Sequence, residues 1–163
     1  MRIDEVTRKD ILKDIDPRTY KYSKEVKSVK YKGITKDYVV VFETPSVTAN
    51  PPTVYTQRIK LLDYPDVEND TDLTYKEKVR LAIAGDIEVS CTCPAYKWWG
   101  YEYIMTQLSA KEGSPQKIFP EIRNPELQGT VCKHLKVVIE AFVMNWTTIA
   151  KDIKDGNFIR ELS

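Results

Sequence analysis

Histidine occurs once in this chain of 163 residues and cysteine three times, and the two scarcities bound its chemistry. A single imidazole cannot act both as a metal ligand and as a general base, and three thiols cannot all pair into bridges. There is no Gly-rich phosphate loop among the six glycines, and no Ser/His/Asp arrangement can be assembled. Long apolar runs are also missing: none approaches the roughly 18 residues that a membrane span requires. The opening Met1-Arg2-Ile3-Asp4-Glu5-Val6 lacks the charged, apolar and small-residue blocks of a secretory signal, so a cytoplasmic, non-membrane protein is expected. Excess charge of one sign is absent as well. The 25 basic and 24 acidic side chains leave a net +1, which argues against a surface built throughout to neutralise phosphates.

What is present suits a soluble globular chain. The 42% hydrophobic and 30% charged content and the length fit a single domain over 1–163. Charge is unevenly spread: residues 1–36 carry eleven basic and six acidic side chains, and 57–90 carry five and eight. Such polarity suits either a basic face for nucleic acid or complementary faces for protein neighbours, beside the ordinary reading of a solvated mixed surface.

Local patterns predict an α+β domain: a mainly antiparallel sheet with a short N-terminal helix, a metal-bound strand and helix unit, and a long C-terminal amphipathic helix. The first helix is expected over 4–14, stopped by Asp16-Pro17. Residues 20–31 read as one arm of a hairpin that turns at Gly33 into 34–43. In that second arm, Val39, Val40, Val41 and Phe42 put apolar groups on both faces, the mark of a covered, central strand. Pro45, Asn50, Pro51 and Pro52 mark a loop. Residues 54–62 alternate as a half-buried strand, 63–72 read as an exposed acidic loop, and 74–84 as a helix ending at Gly85. Ile87, Val89, Cys91 and Cys93 share one phase of a further strand. Leu135, Val138, Ile139, Phe142, Val143, Trp146, Ile149 and Ile153 keep helical spacing over five turns, ending near Gly156.

The chemistry-bearing residues fall as Cys91-x-Cys93 and Cys132-x-His134, with none left over. Four soft or borderline donors in two tight pairs match one tetrahedral Zn²⁺, for which Cys₃His is a known structural set. Ligands at i and i+2 on a strand point one way, and a pair at the first turn of a helix can face them. A helix N-terminus favours the Cys132 thiolate, and Lys133 and Lys136 offset the negative charge of three thiolates on a dication. The alternatives are buried reduced thiols with a core imidazole, or a Cys91–Cys93 bridge closing a small strained ring; the donors alone also admit iron. Four protein ligands leave no open position for water, so a structural site and no enzyme are expected, with no small-molecule substrate. Asp86, Glu88, Glu102 and Glu121 form no acid–base pair by spacing and read as solvated surface.

Cys91-Thr92-Cys93-Pro94 followed by Cys132-Lys133-His134-Leu135 resembles the SWIM zinc finger, with its Cys-x-Cys, variable insert and Cys-x-His. The likeness covers about 87–140 and implies that Cys91, Cys93, Cys132 and His134 hold zinc, with β structure before the first pair and a helix from near Cys132. The insert, 94–131, is longer than that family's usual one. Its aromatic run Pro94-Ala95-Tyr96-Lys97-Trp98-Trp99-Gly100-Tyr101-Glu102-Tyr103, with Ile122-Arg123-Asn124-Pro125-Glu126-Leu127, is similar to small zinc-finger proteins of large tailed phages. Those aromatics suit core packing first, then a protein interface, then base stacking. The resulting expectation is a zinc-stabilised, non-enzymatic interaction protein with protein neighbours in a larger assembly, such as a phage head or neck. A nucleic-acid-binding accessory protein using the basic N-terminal segment with Lys133 and Lys136 is the alternative.

Overall fold

The computed structural model describes residues 6–46 and 53–160. Four stretches rich in β-branched and aromatic side chains form the strands β1 (Lys30–Ile34), β2 (Val39–Pro45), β3 (Val54–Leu61) and β4 (Ile87–Cys91). They pair antiparallel in the order β1-β2-β3-β4, so the fold is α+β with a meandering sheet. Val39 to Phe42 are buried on both faces of β2, as an apolar run without alternation predicts. In β3 the alternation holds, with Gln57, Ile59 and Leu61 facing inward. At the β1–β2 bulge Gly33 adopts φ +141, and a Cβ there would run into Ile159, whose N–H bonds the Ile34 carbonyl.

Two N-terminal helices precede the sheet: α1 (Arg8–Lys13) and α2 (Pro17–Ser23). The first is shorter than expected. Thr7 is extended and caps it reciprocally with Asp10, while Val6 and Thr7 bridge to Asp86 and Ile87; Asp4 and Glu5 lie outside the described residues. The hairpin arm expected from residue 20 begins only at Lys30. Asp16-Pro17 both stops α1 and starts α2, because the Asp16 carboxylate accepts from the Arg18 N–H at 2.7 Å and Pro17 occupies the first helical position. The acidic loop also needs correction: Tyr64–Val67 form a helical turn, α3, and Tyr64 is buried against Tyr38. Helix α4 (Tyr75–Ala84) runs as expected from its Thr74 cap to Gly85. Of the Pro45–Pro52 loop, Pro45 closes β2, and Asn50, Pro51 and Pro52 lie outside the described residues.

The C-terminal helix runs as α7 (Lys133–Phe142), a 3₁₀ turn at Val143–Asn145, and α8 (Trp146–Lys154). The Asn145 amide donates back to the Ala141 carbonyl at 3.2 Å where the helix tightens. Leu135, Val138, Ile139, Phe142, Ile149 and Ile153 are buried, α7 against β3 and β4 and α8 against β1. Each such side chain contributes about 1.5–3 kcal/mol on leaving water. The end is a Schellman motif: Gly156 N–H bonds Ile153 O, Asn157 N–H bonds Asp152 O, and Gly156 is left-handed. Among the described residues no helix is long and apolar enough to cross a membrane.

Candidate metal centre

The centre is assembled where β4 ends. Cys91 is the last residue of the strand and pairs with Gln57 across β3. Thr92 N–H bonds Thr56 O at 3.1 Å, and its hydroxyl accepts from Thr56 N–H at 2.9 Å. The chain then leaves the sheet. Cys93 is extended, and Pro94 at the first helical position commits the next residues to helix α5 (Pro94–Trp98). The second pair arrives from the far side: Cys132 caps α7 through its sulfur, which accepts from Leu135 N–H at 3.5 Å, and His134 lies in the first turn. The approach of residues 130–132 is set by three hydroxyl bonds, Thr130 to Ile11 O at 2.8 Å and Asp14 O at 3.3 Å, and Thr19 to Val131 O at 2.9 Å.

These elements bring all four expected residues together. The ligand atoms of Cys91, Cys93, Cys132 and His134 lie within 4.8 Å of one another, and every one of the four side chains is buried. Donors around one tetrahedral ion with metal–sulfur bonds of about 2.3 Å sit about 3.8 Å apart, so this cluster could hold one metal ion after a small contraction. The sulfurs are not bridged. His134 supplies an independent sign: it is 3% exposed, and neither Nδ1 nor Nε2 has a hydrogen-bond partner. An unsatisfied buried polar atom costs about 1–3 kcal/mol, which a metal bond on one nitrogen would remove. Tyr55 packs edge-on against the imidazole at 5.1 Å.

The sulfurs sit among N–H donors. Cys91 Sγ accepts from Cys93 N–H and from Gln57 Nε2, both at 3.4 Å. Burial pushes the Cys91 and Cys132 thiols up, whereas hydrogen bonds from the Cys132 and Cys91 thiols hold Cys93 well below the ordinary thiol range, aided by the neighbouring imidazole. A dication bound by three thiolates would displace the remaining thiol protons, so loading releases acid. Lys133 and Lys136, expected to offset the thiolates, pair instead with Glu25 at 3.8 Å and Glu140 at 2.7 Å.

Sequence patterns missed two supporting residues. Gln57 is fully buried and also donates to Thr44 Oγ1 at 2.8 Å; its place in the inward phase of β3 was the available signal. Asn124, buried in the insert, donates to Trp99 O at 3.0 Å and Gln128 O at 2.9 Å and accepts from Gln128 N–H at 2.9 Å. It ties the returning chain to the aromatic run. Within that run Tyr96 and Tyr101 are core residues, on α5 and on α6 (Tyr101–Gln107), while Trp98 is 59% exposed. Gly100 joins the two helices at φ +76, where a Cβ would meet Pro120. Of the four carboxylates read as solvated, Asp86 is buried, because its backbone is enclosed between Thr7 and Asp63. Glu102 pairs with Lys111 at 3.4 Å. Compared with family models, with curated proteins and with solved structures, the chain matches none.

Proposed function

We propose that this chain is a zinc-stabilised, non-enzymatic interaction protein that works within a larger assembly, such as the head or neck of a phage particle. The buried Cys₃His cluster carries the reading. Thiolate-rich donors favour Zn²⁺ over harder cations, and four protein ligands complete a tetrahedral shell without a position for substrate or water. The resemblance of the Cys-x-Cys and Cys-x-His pairs to the SWIM zinc finger supports zinc, and the near-neutral charge and the exposed Trp98 and Phe119 of the insert support protein neighbours. When bound, zinc supplies a crosslink between the end of β4 and the start of α7; the chain's own contribution is to bury the ligands and hold them close. Metal analysis of the purified protein should return one zinc per chain, and the protein should co-sediment with particles. A metal-free, fully folded protein that joins no particle refutes the reading.

A second reading, nucleic-acid binding, is favoured by one surface. Arg18 stacks at 3.8 Å over Trp99, Lys133 lies 5.9 Å from the Tyr22 ring, and Lys24 and Lys136 flank Tyr20, at 5.7 and 5.3 Å. Cations interleaved with aromatics suit a single strand. Binding to a labelled oligonucleotide that falls steeply as salt rises would select this reading.

A further inference from the structure

The insert carries more apolar surface than the metal cluster needs. Three adjoining hollows run across it as one groove: the first, between α2 and the start of α7, meets the second at Ala95, and the second meets the third at Trp98 and Arg123. The third encloses about 700 Å³. Its apolar lining is open to solvent, with Trp98 59%, Ile118 69% and Ile122 93% exposed. Four cations, Arg18, Lys97, Arg123 and Lys133, line the same groove against two carboxylates, Glu25, which pairs with Lys133, and Glu121; Lys97 and Arg123 are exposed with no acidic partner among the described residues. Flat aromatic rings alone would suit stacked bases, but the isoleucines present branched aliphatic surface, which matches a protein segment.

A segment of complementary character lies at the other end of the sheet. Residues 63–72 hold five acidic and no basic side chains. Asp66, Asp70 and Asp72 are exposed without a basic partner among the described residues, beside exposed Pro65 and Tyr75. This segment follows Leu61, which pairs with Ile87; the groove lies beyond the Gln57–Cys91 pair, four residue steps or about 13 Å along the ladder. The acidic segment follows one end of this ladder and the Pro94–Trp98 wall of the groove follows the other, so the two are held apart within one molecule, and two molecules placed head to tail can bring them together.

We infer that the groove over the insert receives the acidic segment 63–72 of a second copy of this chain, with Trp98, Ile118 and Ile122 as apolar anchors and Lys97 and Arg123 as the matching charges. The contact is heterologous, so repetition yields a ring or an open row of subunits. It rests on the assembly reading above, and its groove floor, Ala95 and Cys132, is built on the metal-bearing elements.

Sedimentation velocity on the full, zinc-loaded chain tests it. At low salt the weight-average mass should rise with concentration to at least twice the 18.9 kDa of the monomer and fall back as salt screens the pairing. The variant K97E/R123E and the variant D66K/D70K/D72K should each stay monomeric and folded by circular dichroism, and their equimolar mixture should recover the associated mass. Ile122→Ser, an uncharged change at a side chain 93% exposed, should weaken association at low salt about tenfold. A folded, fully metallated wild type that remains a monomer overturns the docking and leaves the zinc reading standing. Association that persists without metal supports the docking and removes the zinc reading. A mixture that fails to recover, or a single-stranded oligonucleotide that fills the groove of a monomer, overturns it.

Discussion

The sheet with its C-terminal helix and the insert with its candidate metal site share one core but differ in how much of each it holds. In the first, Val40, Phe42, Ile59, Val89, Leu135, Ile139 and Phe142 lose all their exposure in one contiguous cluster, so many interchangeable contacts share the stabilisation. In the second, residues 94–131 hold only two short helices; Tyr96, Tyr101, Ile104 and Met105 reach into that same core, and the rest of the path depends on a few polar knots: Asn124 to Trp99 and Gln128, Tyr101 with Thr19 and Asp16, and the four clustered Cys and His side chains. A core built from many contacts degrades gradually when one is lost. A segment tied at a few points fails when one tie goes.

The largest effect is therefore expected at the ties. Cys132→Ser, or removal of metal by a chelator, should cost roughly 5 kcal/mol or more, since in small sites metal binding and folding are one equilibrium. In a chain this long that lowers Tm by roughly 10 °C or more. Hydrogen exchange should place the loss first in the insert and around the start of α7; an unchanged melt would dissolve the contrast. Phe142→Ala, in the shared core, should cost about 3–5 kcal/mol by leaving a cavity, with the metal stoichiometry unchanged. Metal loss in that variant would show that the regions are a single unit.

Asn124→Ala removes three hydrogen bonds, should cost about 2 kcal/mol, and should quicken proteolysis within 94–131 while leaving exchange in β2 and β3 unaltered. The smallest effect near neutrality is electrostatic and belongs to the sheet side. Burial, together with Tyr75 and Glu68, pushes the Tyr64 hydroxyl up to about 12, and Tyr31 and Tyr38 move in the same direction. An unfolded tyrosine ionises near 10. The folded state thus keeps a proton that the unfolded state gives up. That stabilisation is complete below pH 10 and is lost as pH rises from about 10 towards 12. Acid should act on the other region, releasing metal as the ligands take up protons. Tyr64→Phe should flatten the alkaline limb of a pH-dependent denaturation series; a limb that does not change would assign it to other groups.

The legible parts of the fold were those with strong periodicity. The uniform apolar run of β2, the alternation of β3, and the helical stripe from Leu135 to Ile153 all appear where expected. Misreadings fell where one residue served two elements or a short element sat inside a polar stretch. Asp16-Pro17 ends α1 and begins α2, and Tyr64 buries itself from within an acidic segment because Tyr38 offers it a partner at 4.3 Å between ring centres.

Composition and spacing alone pointed to the four residues that cluster, because one histidine and three cysteines in two tight pairs are the chain's whole supply of soft donors. Periodicity likewise identified β2, β3 and the long helix, since 2.0 and 3.6 residue repeats place apolar groups on a face without reference to the rest of the chain. Tertiary structure alone decided that the two pairs meet, that Gln57 bonds Cys91 and Asn124 ties the insert to its aromatic run, and that an apolar groove opens across the insert. Each of these joins residues distant in the chain, and such proximity depends on how the sheet, insert and helices pack, which no local repeat encodes.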